Sequence, residues 1–153
     1  MQTQQAQVAD PRPWANPHDK SFGILVVGGF DSDLIALLEI LNDTDWTLYW
    51  NTTSEDAAET LRRRRIGVVL CDRDLPSGDW KDVLATTESL ASPPPLIVTA
   101  RFANERLWAE VLSLNGYDVL TKPFDTDEVI RALSLAAQAW RASDSGRGGA
   151  SAA

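Results

Sequence analysis

The sequence predicts an α/β fold of the doubly wound type, a five-stranded parallel sheet with helices on both faces. Three observations predict it. Five short apolar runs recur along the chain. A stretch with helical spacing of apolar residues follows each run. The crossovers are short, and short crossovers between buried strands imply parallel pairing.

The first run, "FGILVV", is continuous and apolar, as expected of a strand covered on both faces. It stops at Gly28 and Gly29, and an acid-rich turn follows. Asp31 or Ser32 can cap the next helix, where Leu34, Leu37, Leu38 and Leu41 recur at helical spacing. "WTLYW", Trp46 to Trp50, is short and aromatic and reads as the second strand. A helix from Ser54 through Leu61 follows, with acids in its first turn. "RRRR", Arg62 to Arg65, reads as its cationic last turn, which suits the negative end of the helix dipole, rather than as a binding patch.

"IGVVLCD" is the third strand and ends at Asp72. "LPSGD" is a turn, and Asp79 can cap a helix carrying Trp80, Val83, Leu84 and Thr87. Pro93 to Pro95 stop that helical region. "LIVTA" is the fourth strand, and Leu107, Val111 and Leu114 mark the fourth helix, with Gly116 as its C-cap. "YDVLT" is the fifth strand. After "KPF", the fifth helix carries Val129, Ile130, Leu133, Ala137 and Trp140. Residues 1–20 read as a disordered arm, 21–142 as one domain, and 143–153, rich in Gly and Ser, as a disordered tail.

Composition excludes several functions. The formal net charge of −8 argues against nucleic-acid and anionic-membrane surfaces, which call for a basic footprint. No apolar run approaches a membrane span, and no signal peptide is visible, so a cytoplasmic location is expected. The single cysteine, Cys71, excludes an internal disulfide and reads as a buried strand residue rather than a redox sensor. A nucleotide-binding reading fails. "GGFDSD" lacks the G-x-G-x-x-G pattern, acids stand where phosphates would go, and no acid ends the second strand at Asn51.

Ligands of such folds sit beyond the carboxyl ends of the strands. There the sequence puts a carboxylate (Asp72), a hydroxyl (Thr99) and an ammonium (Lys122). A carboxylate can act as a nucleophile toward a phosphoryl group, and the other two can bind its oxygens. Singly, each has a plainer reading: a cap, a strand residue and a solvated charge.

With these pieces in place, the sequence resembles the receiver domains of bacterial response regulators, over about Phe22 to Arg141. The resemblance rests on "ILVV", "VVLCDRDLPSGDW", "LIVTAR" and "GYDVLTKPF". It implies a flavodoxin-like (βα)5 sandwich and a non-enzymatic signalling role. It implies that Asp72 is the phosphoacceptor, served by a sensor histidine kinase, and that Thr99 and Lys122 contact the phosphoryl group. It also implies a cis Lys122–Pro123 bond. In the family, Mg²⁺ is held by two acids after the first strand, by the phosphoacceptor, and by a backbone carbonyl, here that of Asp74.

Two positions depart from the pattern. Gly28 and Gly29 replace the acid pair, and Val119 replaces the aromatic switch residue. Mg²⁺ favours carboxylate ligands, so its binding should be weak, with Asp72 and Asp74 as the remaining candidates. Asp31 is expected to cap its helix, and Asp33 is a third acid to test as a stand-in. Asp72 and Lys122 could pair with no metal at all. Two readings follow: a stand-alone phosphoacceptor receiver in a phosphorelay, or a pseudo-receiver that binds proteins without phosphate control. Trp46, Trp50 and Trp80 read as core or half-buried aromatics. Trp108 and Trp140 share that reading, but also fall on the fourth and fifth helices, a face that receivers use for partners and through which a homodimer could form.

Overall fold

The strands are β1 (Gly23–Val27), β2 (Thr47–Asn51), β3 (Ile66–Asp72), β4 (Leu96–Ala100) and β5 (Asp118–Thr121). They form one parallel sheet in the order β2-β1-β3-β4-β5. The helices are α1 (Ser32–Asn42), α2 (Ser54–Arg63), α3 (Trp80–Glu88), α4 (Glu105–Ser113) and α5 (Thr126–Ala152). The structure, a computed structural model, describes residues 22–152. The arm expected over residues 1–20 lies outside the described residues.

Side chains alternate across each strand and so divide into two cores. On one face Ile24, Val26, Val68, Leu70, Ile97 and Leu120 pack with Leu34, Leu37 and Leu41 of α1 and with Val129, Leu133 and Trp140 of α5. On the other face Leu25, Val27, Val69, Cys71, Val98 and Val119 meet Ala57 and Leu61 of α2, Trp80 and Val83 of α3, and Leu107 and Val111 of α4. The sheet is therefore covered on both sides, which is why its inner strands β1, β3 and β4 read as apolar runs, whereas the edge strands β2 and β5 are only partly buried. The alternation that buries Val26, Leu70 and Ile97 on the α1–α5 face brings Gly28, Asp72 and Thr99 to that face at the carboxyl edge.

Four local expectations need correction. The arginine run is not a single helical turn. Only Arg62 and Arg63 lie in the last turn of α2, and Arg64 is already extended (φ −121°, ψ 154°). Arg63 pairs with Glu59, Arg64 lies over Tyr49, and Arg65 lies over Trp140, so the run is divided among internal partners. At the end of α4 the left-handed residue is Asn115 (φ 73°), not Gly116. The amide of Asn115 donates to the Leu112 carbonyl and that of Gly116 to the Val111 carbonyl, which together form a Schellman cap. Gly116 is needed for a different reason. A Cβ there would lie 2.4 Å from Val111 Cγ1 and 2.9 Å from the Val111 carbonyl oxygen.

The third correction concerns the carboxyl-terminal stretch. Helix α5 continues to Ala152, past the point where the glycine-rich composition predicts a tail. Its last described side chain, Asp144, accepts hydrogen bonds from Ser92 Oγ and from Arg65, which anchors that turn to the body of the domain. The fourth is Trp140, which is 2% exposed and so is a core residue rather than part of a partner face. Its ring packs on Phe22 and under Arg65, and its Nε1 donates to the Ser92 carbonyl. Trp108, on α4, is 38% exposed.

Candidate functional site

Parallel pairing sets Asp72 directly beside Thr99 across β3 and β4. Lys122 follows the last residue of β5, at the same edge, and the Lys122–Pro123 peptide is cis. The three side chains meet. Lys122 Nζ lies 2.8 Å from Asp72 Oδ1, and Thr99 Oγ donates to the same oxygen at 2.7 Å. Both charged side chains are largely withdrawn from solvent, at 11% for Lys122 and 15% for Asp72. Burying either charge alone would be costly, so the pair and its hydrogen bond stabilise each other in place.

The other side of the carboxylate faces β1. A Cβ built on Gly28 would stand 3.4 Å from Asp72 Oδ2, whereas one on Gly29 would face Pro76. Position 28 is therefore the one from which a side chain would meet Asp72 directly. The space beside it is small, about 10 Å³, lined by Gly28, Gly29, Asp31, Thr99, Lys122 and Phe124, among others. That is room for one water-sized molecule.

The residues present do not fit a Mg²⁺ ion. Among the described residues no group of three or more His, Cys, Asp or Glu is placed to hold a metal. Each candidate stand-in is otherwise engaged. Asp31 caps α1 by accepting from the Leu34 amide at 2.8 Å. Asp33 is paired with Arg101. Asp74 is 85% exposed and lies 3.5 Å from Arg73. Asp72 itself has Oδ1 shared by an ammonium and a hydroxyl, leaving too few carboxylate ligands for an octahedral oxygen shell.

Val119 is 3% exposed and packs in the core under α2, α3 and α4. It is stiff about its first torsion and has no ring to swing between two positions. Cys71, one residue before Asp72, is fully buried. Burial, with help from the nearby charges of Asp72 and Asp79, pushes its thiol far above the ordinary range.

Two contacts at this edge have no counterpart in the sequence reading. Trp50, at the end of β2, donates from Nε1 to the Gly28 carbonyl at 2.9 Å, and its ring meets Phe30. Arg101, just after β4, reaches Asp33 in the first turn of α1. The pairs are 22 and 68 residues apart, beyond any local sequence signal.

A family model for the response regulator receiver domain matches residues 24–134. No curated protein matches. Among solved structures, the signal receiver domain of an HD domain-containing protein from Pseudomonas fluorescens is similar at 22% identity and a TM-score of 0.76. That match covers 86% of this chain and 97% of the other. The receiver domain of a putative Luxo repressor protein from Vibrio parahaemolyticus matches at 22% identity and a TM-score of 0.71, over 81% and 95% of the two chains. The receiver domain of a sensor histidine kinase from Pseudomonas aeruginosa, described with a magnesium ion coordinated in its active-site cleft, matches at 20% identity and a TM-score of 0.69, over 77% and 98%. At these identities the likeness speaks for the fold. The family match spans most of the chain, and the chain belongs to the response regulator receiver domain family of two-component signalling.

Proposed function

We propose that this receiver domain acts by binding another signalling protein, with Asp72 held in an ion pair and outside the control of Mg²⁺-dependent phosphorylation. One observation carries the reading. Lys122 and Thr99 both occupy Oδ1 of Asp72, while Gly28 supplies no acid on the Oδ2 side. Phosphoryl transfer relies on a metal to offset developing charge, and the ammonium of Lys122 is here matched by the carboxylate itself. The magnesium-bearing relative from Pseudomonas aeruginosa marks the contrast in metal chemistry. A sensor histidine kinase or another component of the pathway is the partner class. The exposed Trp108 and Leu112, one turn apart on α4, offer an apolar contact and a route to a homodimer.

The test is incubation of the full chain with a small-molecule phosphodonor and Mg²⁺, followed by intact-mass spectrometry. No adduct is expected. The second reading, Asp72 as phosphoacceptor, draws on the intact aspartate and on the open Gly28 side of its Oδ2. A labile adduct that disappears in Asp72→Asn would establish it and overturn the first.

A further inference from the structure

We infer that the Asp33–Arg101 ion pair is an ionic latch that closes the β1–α1 loop over the Asp72 pocket. The inference rests on the metal-free reading of that pocket. Asp33 belongs to the helix that follows β1, and Arg101 follows β4. In the sheet, β3 lies between those two strands. The pair therefore reaches over two strand spacings, roughly 10 Å, across the end of the strand that carries Asp72.

The loop is held from its other side as well. Trp50 on β2 donates to the Gly28 carbonyl, and the Gly28 amide donates to the Asn51 carbonyl. Residues 28–33 are thus fastened by a hydrogen-bonded indole on one flank and a charge pair on the other. The two fastenings differ in kind. Trp50 and Asn51 hold backbone within the sheet. Arg101 is 55% exposed along its side chain, whereas Asp33 is only 12% exposed. The cation is open to competing ions, and the anion loses its main partner if the cation leaves. The space beside Asp72 is about 10 Å³, and Gly28, Gly29 and Asp31 of this loop line it. A group larger than water fits that space only if the loop moves.

The Trp50 indole N–H reports the loop directly, because its acceptor is the Gly28 carbonyl. The Trp140 indole, bonded to the Ser92 carbonyl, serves as an internal reference for the fold. The experiment follows hydrogen exchange of both indoles by NMR in the full chain, with the Trp50 signal assigned by Trp50→Phe. Arg101→Gln should speed exchange at Trp50 by roughly five-fold, the scale of a partly exposed ion pair. About 1 M NaCl should do the same to the wild type by screening the pair, and should add little to Arg101→Gln. The double variant Asp33→Asn/Arg101→Gln should match the single one. The Trp140 signal should stay unchanged throughout. Trp50 exchange at the wild-type rate in Arg101→Gln, with Trp140 protected, would overturn the latch, as would equal salt effects on wild type and variant. The readout needs no phosphorylation, so it fails or succeeds separately from the mass-spectrometric test of Asp72.

Discussion

On its Oδ1 side, Asp72 meets Thr99 from β4 and Lys122 after β5; on its Oδ2 side, it faces the bare backbone of Gly28. The half of the pocket built by β4 and β5 keeps groups that bind an anion. The half built by β1 lacks an acid at positions 28 and 29, and the one carboxylate of that loop lining the pocket, Asp31, caps α1. The two halves serve different partners, a charged oxygen and a metal, so one can persist while the other is gone. The retained half also has a structural use that needs no phosphate, because it neutralises a carboxylate that the fold largely buries. That use is reason enough for Asp72, Thr99 and Lys122 to stand together.

The largest test removes the cation of the retained half. Lys122→Met should destabilise the domain by about 3 kcal/mol, because it leaves a mostly buried carboxylate unpaired. Urea denaturation measures the loss, and Asp72→Asn/Lys122→Met should recover most of it. If Lys122→Met is neutral, the pair is not what holds this edge. A smaller effect comes from refilling the other half. Gly28→Asp puts a second carboxylate against Asp72, and without divalent cation it should lower stability by about 2 kcal/mol through like-charge repulsion. Millimolar Mg²⁺ should then raise the melting temperature of this variant and leave the wild type unmoved. Gly29→Asp, whose side chain would face Pro76, should gain much less from Mg²⁺. The smallest effect is Thr99→Val, which removes one hydrogen bond to Oδ1 at nearly constant volume. A loss of about 1 kcal/mol in the same urea assay is expected.

Much of this was legible in the sequence, for physical reasons. The inner strands β1, β3 and β4 announce themselves because burial on both faces demands continuous apolar runs. Once the sheet is parallel, the ends of β3, β4 and β5 fall on one edge, so the meeting of Asp72, Thr99 and Lys122 follows from topology. The roles of Asp33 and Arg101 were not legible. An arginine after a strand and an acid in a first helical turn each have an adequate local explanation, and only the fold brings them together. Trp140 teaches the reverse. It continues the apolar stripe of Val129, Leu133 and Ala137, and that period places it in the core. Its spacing along α5, rather than the resemblance, decides its place. Asn115 and Gly116 are both turn residues, and the sequence does not say which one takes the left-handed conformation.

The burial of Cys71 has a practical consequence. This is the only cysteine in the chain, and its sulfur is fully enclosed and held as the unreactive thiol. Its side chain lies in the core beneath α2, α3 and α4, so an alkylating reagent can reach it only when those helices move off that face of the sheet. The rate at which the native protein takes up one such label is therefore a clock for opening of the core between the sheet and these helices, started without any engineered probe. Read with and without Mg²⁺, the same clock reports whether the ion steadies the strand that carries Asp72.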